Sequence, residues 1–261
     1  MEISLLSHDK KHNRVSFLLK GATPGYANCL RKTIMESVPT LAMESIEFRK
    51  NSSALYDEVI GLRLGLIPLK TDLKSYTPRE KCKCKGEGCA RCTVMLSLSA
   101  KGPGTVYASE IRTKDSAIKP VFPQTPIVKL LKNQELEFEA AAIMSSGNVH
   151  AKWSPGLVWY TYNPTITVNN SSKKMEEFRD KYPPQIFDKE GRIDKAKILD
   201  LNLVRAVDSV CEDIVRVDFN DSEFIFYVEY WGQLTPKEML ATAVEVMDQQ
   251  VDELDELMKE S

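Results

Sequence analysis

The spacing of apolar residues along the chain changes several times, and each spacing predicts an element. Ile3 and Leu5 alternate with polar neighbours, HDKKHN reads as a polar turn, and Val15, Phe17 and Leu19 resume period two, so the chain opens with a hairpin. A helix follows. Thr23 suits its N-cap, Pro24 suits its first position, where a missing N–H costs nothing, and Pro39 stops it. Its apolar stripe runs through Tyr26 or Ala27, Leu30, Ile34 and Val38, with Arg31 and Lys32 off the stripe. Residues 57–64 predict a shorter helix closed by Gly65, and Pro68 keeps LIPL extended. Val94, Leu96 and Leu98 in TVMLSLSA, like Leu136, Phe138, Ala140 and Ala142 in ELEFEAAAIM, alternate with polar residues and predict two half-buried strands. Between these strands, Pro103, Pro120, Pro123 and Pro126 break the chain too often for long helices.

The aromatic run WSPGLVWYTY, residues 153–162, is expected to be extended and to end at Asn163-Pro164. From 165 to 230 the texture changes. A strand TITV, a polar helix from Ser172 to Lys181, a Pro183-Pro184 break, a helix from Leu201 to Cys211 and a hairpin IVRVDFNDSEFIFYVEY suggest a compact α+β insertion. The last element has three agreeing start signals: Thr235 as N-cap, Pro236 in the first turn and Glu238 as a capping-box carboxylate. Along it Leu240, Val244, Met247, Val251, Leu254 and Met258 recur in steps of four and three, a heptad seam that calls for a partner helix. The chain's own first helix and a helix of another chain both suit that seam. The outer face, with Glu245, Asp248, Asp252, Glu253, Asp255 and Glu256, reads as a solvated surface.

Composition narrows the function classes. A chain of 261 residues with 43% hydrophobic content has enough apolar material for a real core. The 35 basic residues against 37 acidic ones leave a net charge of −2, which projects no field to gather polyanions and argues against free-standing nucleic-acid binding. The amino terminus lacks an apolar leader behind a basic start, and no run approaches the roughly 20 apolar residues of a membrane span. The expected location is cytoplasmic. In a reducing compartment, clustered thiols are metal ligands or redox groups.

Such a cluster lies at KCKCKGEGCARC, where Cys82, Cys84, Cys89 and Cys92 follow the pattern C-x-C-x4-C-x2-C, with Gly86 and Gly88 available for tight turns. Four thiolates on a short loop can surround one zinc ion at about 2.3 Å and fill its shell, which favours a structural site over a catalytic one. Lys81, Lys83, Lys85 and Arg91 would offset the net charge of about −2 on such a centre. An iron–sulfur cluster ranks behind zinc because its usual cysteine spacings differ, and two disulfides rank third. Cys29 and Cys211 read as small buried hydrophobes. His8, His12 and His150 are scattered, and neither a nucleophile–base pairing nor a phosphate-binding loop is visible, so no residue of this chain is expected to be catalytic.

Three strings converge on one family. GYANCLRKTIMESVPTLAMESIEF resembles the amino-terminal helix and following strand of the alpha-like subunits of cellular RNA polymerases, in their archaeal branch. LYDEVIGLRLGLIPL resembles that family's signature stretch, and HAKWSPGLVWYTYNP the segment where the chain returns to its first domain. The resemblance covers essentially the whole chain. It implies an α+β fold with a discontinuous dimerisation domain (1–44, 151–168 and 222–261), an inserted mostly-β domain (45–150) and a small ferredoxin-like segment (169–221). It also implies a platform without catalytic residues that pairs with a small alpha-like subunit, called L in archaea, to form a hetero-oligomer. The pairing would run through Leu30 and Ile34 of the first helix and through the terminal seam, leaving the isolated chain poorly soluble or self-associating. Subunits N and P and the large catalytic subunits A and B would dock on this pair, with DNA reached only through the complex.

In eukaryotic relatives a cysteine loop at this place holds zinc. Some archaeal relatives carry iron–sulfur clusters in the third segment, but here Tyr182 stands where a ligand cysteine would precede proline and only Cys211 remains, so no cluster is expected. Val204, Val207, Phe224 and Phe226 are expected to hold that segment by apolar packing. Two other readings remain: a zinc-ribbon-like nucleic-acid-binding module, which the basic flanks of the cysteines would support, and a redox carrier using the same thiols.

Overall fold

The computed structural model describes residues 1–260. Its strands are β1 (Glu2–Asp9), β2 (Arg14–Lys20), β3 (Thr40–Asn51), β4 (Thr93–Lys101), β5 (Gly104–Tyr107), β6 (Arg112–Thr113), β7 (Pro126–Leu130), β8 (Glu135–Ser145), β9 (Gly156–Val168) and β10 (Val215–Tyr230). Its helices are α1 (Pro24–Glu36), α2 (Asp57–Gly65), α3 (Met175–Phe178), α4 (Lys195–Asp200), α5 (Val204–Val207) and α6 (Pro236–Glu260). The architecture is mixed α+β, with sheets ordered β1-β2-β10-β9, β3-β8-β4-β6 and β5-β7. The chain divides into two compact units, each discontinuous in sequence: residues 1–4, 17–24 and 160–226 form one, and 5–16, 25–159 and the described residues from 227 on the other.

The larger unit is built on β8, which pairs antiparallel with β3 on one side and β4 on the other. Strict alternation along β8 puts Leu136, Phe138, Ala140, Ala142 and Met144 on the buried face, and Val94, Leu96 and Leu98 of β4 join them. Ile60 and Leu64 of α2 enter the same core from the helix side. In α1, Ala27, Leu30 and Ile34 are buried as the helical period predicts, and Val38, just past its end, is buried as well.

The smaller unit has an aromatic group in which Phe17 stacks on Phe226 at 5.0 Å between ring centroids, with Tyr160 and Tyr162 packed against Phe224. A second cluster joins Ile166, Tyr182, Ile186, Ile193, Ile198, Val207, Ile214 and Val215, with Val204 packed against it. Val204 and Val207 therefore pack as expected, while Phe224 and Phe226 are buried within the aromatic group instead.

Several elements differ from the sequence expectation. The run expected as a hairpin forms instead, from Val215 to Tyr230, a single 16-residue strand. FNDSE looks like a turn, yet Ser222 donates from its backbone N–H and its hydroxyl to Asn220 Oδ1, and its carbonyl accepts from Gly21 and Ala22. The polar groups are satisfied without reversing the chain. Asn163-Pro164 does not end β9, because β9 is an edge strand, where proline's missing N–H interrupts no ladder. Asn163 Nδ2 instead donates to Glu223 Oε2 at 2.7 Å.

The helix expected from Ser172 shrinks to α3 and a 3-10 turn, since Ser172 takes part in local turns rather than capping. The helix expected from Leu201 to Cys211 is reduced to α5 between Asn202 and Ser209, both at positive φ, and α4 precedes it, capped by Asp194. β1 forms as expected but buries nothing; Ile3 and Leu5 are exposed.

Candidate metal centre and partner seam

The cysteine loop is shaped by its backbone before any side chain acts. A 3-10 turn at Arg79–Lys81 delivers Cys82, whose N–H donates to the Arg79 carbonyl at 3.2 Å. Lys85, Gly86 and Gly88 adopt positive φ, folding the segment between the two cysteine pairs back on itself. At the far side the N–H groups of Cys92 and Thr93 both donate to the Cys89 carbonyl, and β4 begins.

This geometry brings all four sulfurs within 4.8 Å of one another. Cys82 Sγ lies 3.4 Å from Cys84 Sγ and 3.5 Å from Cys89 Sγ, and Cys92 Sγ lies 3.5 Å from Cys84 Sγ and 3.9 Å from Cys89 Sγ. Four sulfurs at about 2.3 Å from one tetrahedral centre must stand about 3.8 Å apart, and these separations bracket that value. All six cysteines of the chain are free thiols, and the 3.4–3.5 Å approaches are far from the disulfide length of about 2.05 Å. A cubane cluster, which gives each thiolate its own iron, would hold its sulfurs farther apart. The donor set therefore fits a single divalent ion held by Cys82, Cys84, Cys89 and Cys92, with a closed shell.

The thiols sit in unequal surroundings. The Gly88 backbone N–H, followed by the Cys82 thiol, draws the Cys84 thiol down to about 6, while burial pushes Cys92 up to about 11. Cys92 is fully buried and Cys82 nearly so. Lys81, Lys83, Lys85 and Arg91, the cations the sequence singles out, are all exposed.

A different cation lies beneath the loop. Arg79 Nη2 donates to Thr93 Oγ1 at 3.2 Å, and Thr93 Oγ1 is 3.9 Å from Cys92 Sγ. The cysteine pattern does not reveal Arg79, because it precedes the first thiol and belongs to no motif. An arginine in the turn leading into a ligand loop was the only available signal. Cys29 is exposed and Cys211 half-buried, so neither is the buried hydrophobe expected. Tyr182 is buried and donates its hydroxyl to the Cys211 carbonyl at 3.3 Å. Burial, followed by Cys211, raises its pKa.

The terminal seam is open. α6 is anchored through Met239 and Ala243, both fully buried, and carries the capping box read from sequence. Thr235 N–H donates to Glu238 Oε2 at 2.8 Å, and Glu238 N–H donates to Thr235 Oγ1 at 3.3 Å. Leu240 and Met247 are half-buried, while Val244 is 42%, Val251 65%, Leu254 58% and Met258 70% exposed. Leu257, outside the heptad reading, is exposed beside them. Leu30 and Ile34 do not share this exposure. They are 2% and 0% exposed within the chain, so the stripe that marks them as apolar is spent on the interior rather than on a partner.

No described helix is long and apolar enough to cross a membrane. Residues 46–156 match the model of the RNA polymerase Rpb3/RpoA insert domain. Among curated proteins, DNA-directed RNA polymerase subunit Rpo3 of Methanosarcina acetivorans is 36% identical over 260 residues, covering 97% of this chain and 97% of that one. The Rpo3 subunits of Thermococcus kodakarensis and Pyrococcus furiosus are 35% and 33% identical, covering 92% and 99% of this chain and 91% and 98% of their own lengths. With end-to-end similarity at this level, and with the helix, signature stretch and returning strand in their expected order, the chain belongs to the alpha-like Rpo3 family of archaeal DNA-directed RNA polymerase subunits.

Proposed function

We propose that this chain is an assembly platform of the polymerase, itself without catalytic residues, that pairs with the small alpha-like subunit L and docks N, P and the large subunits A and B. The observation that carries the reading is the seam of α6. A helix anchored by Met239 and Ala243 extends Val244, Val251, Leu254 and Met258 into solvent at heptad spacing, the pattern of a helix whose partner is another chain. The pairing domain is composed of residues 1–44, 151–168 and 222–261, with an insert domain at 45–150 and a ferredoxin-like segment without cluster at 169–221. Leu30 and Ile34 support it from inside, holding α1 in place. A structural zinc on the four cysteines orders the loop of the insert domain. DNA is met only through the complex, in the cytoplasm.

Co-expression with the small subunit tests this. Placing an unpaired charge in a desolvated helix seam is costly, so the double variant Met247→Lys, Leu254→Lys should lose the partner, with affinity reduced at least about 100-fold. The insert domain should stay folded. Recovery of the partner at wild-type stoichiometry would overturn the interface.

A further inference from the structure

We infer that Arg79 is the counter-ion of the cysteine-bound metal, a positioning residue that sets how tightly the loop holds its ion; the inference rests on the metal reading above. The Nε of Arg79 is buried and has no hydrogen-bond partner, and Arg79 forms no ion pair among the described residues. A buried guanidinium N–H without an acceptor is unfavourable, and the loop supplies no carboxylate to it. What the loop does supply is four sulfurs. Once ionised around a divalent ion they carry a net charge of about −2, linked to the guanidinium through the Thr93 hydroxyl.

The path from Arg79 to those sulfurs is short. Its carbonyl accepts the Cys82 N–H at 3.2 Å, fixing the arginine one turn before the first ligand. Its Nη2 donates to Thr93 Oγ1 at 3.2 Å, and that hydroxyl stands 3.9 Å from Cys92 Sγ. A Cβ built on Gly88, between Cys84 and Cys89, would lie 3.8 Å from Nη2 and 3.5 Å from Thr93 Oγ1, so the guanidinium and the hydroxyl together floor the ligand loop at Gly88. Thr93 spends its oxygen lone pair on Arg79 and has its own proton left to turn toward the Cys92 thiolate. Lys81, Lys83, Lys85 and Arg91 point into water, where screening weakens their attraction for the centre. Arg79 is half-buried, with its Nε out of contact with water, and so is less screened than those four.

Cobalt titration of the full chain, followed by competition with a chelator, tests this. The wild type should show the visible bands of a tetrathiolate site. Arg79→Met should lower cobalt affinity about 10- to 100-fold, the range typical of lost outer-shell partners, and speed chelator stripping. Thr93→Val should fall between, Arg79→Lys should recover part of the loss, and the exposed control Lys83→Met should change affinity less than about 3-fold. Equal affinity of Arg79→Met and wild type, or an equal loss in Lys83→Met, overturns the inference while leaving the metal site intact. Absence of tetrathiolate bands in the wild type overturns the metal reading and this inference with it. Should Arg79→Met fail to fold by circular dichroism without metal, Arg79→Lys and Thr93→Val decide; wild-type affinity in both overturns the proposal.

Discussion

Tyr76 lies close to the cysteine loop in sequence and is 7% exposed, and its hydroxyl donates to Asp115 Oδ2 at 2.6 Å. Burial, reinforced by Asp115, pushes the tyrosine up to about 12, and the same bond holds the Asp115 carboxyl below its ordinary value. The two shifts have opposite pH signs. The tyrosine's contribution is complete below its unfolded value near pH 10 and is lost as pH rises through about 12. The carboxylate's contribution is present above about pH 4 and fades as pH falls through the depressed value. Tyr76→Phe should therefore cost about 1–2 kcal/mol near neutral pH, a charge-assisted bond discounted for the half-exposed acceptor. Urea denaturation should show the gap to wild type narrowing at both extremes; a gap that stays constant from pH 3 to 12 would refute the assignment. This pair also marks the limit of sequence reading. The four cysteines announce themselves by spacing, whereas Tyr76 and Asp115 stand 39 positions apart and meet only through the fold. Arg79 was hidden for the same reason, since its significance comes from its unpartnered Nε and its bond to Thr93 and not from its neighbours in sequence.

Local signals succeeded wherever one element satisfied its own polar groups. The α6 start is such a case: Thr235 and Glu238 exchange hydrogen bonds, and the Thr235 N–H and hydroxyl hold the Glu238 carboxyl below its ordinary value. Thr235→Ala should destabilise the larger unit by about 1 kcal/mol, and Thr235→Ser should restore most of it. Equal denaturation midpoints for the alanine and serine variants would show that the cap contributes nothing. β4 and β8 were equally legible, because each has one buried face and period two exposes it. β10 was not. Its FNDSE run carries turn residues, but whether a chain turns there depends on Gly21 and Ala22, which take the Ser222 carbonyl and lie some 200 positions away by simple numbering. The α4–α5 region failed similarly: Asn202 and Ser209 adopt left-handed conformations that a propensity reading does not assign to serine.

The two compact units each have their own apolar core, and the core of the larger one takes little from the cysteine loop. The buried residues of that core run through β3, β4, β8 and α2, with Val94 the first of them beyond Cys92, while residues 79–91 contribute Cys82 as their only buried apolar side chain. So little packing is weak support for a loop of this length, and on the proposed metal reading the thiolates and a bound ion supply the free energy that holds it. Stripping the metal with a chelator at neutral pH should consequently open the loop and leave the sheet intact. Amide exchange should accelerate across residues 79–92 while β3 and β8 keep their protection, and trypsin should gain access at Lys81, Lys83, Lys85 and Arg91. The overall unfolding midpoint of the sheet should move little, because the loop lies at the start of β4 and not across its pairing with β8. Loss of protection throughout β8 on chelation would show instead that the ion supports the whole insert domain, and that the cysteines belong to its core.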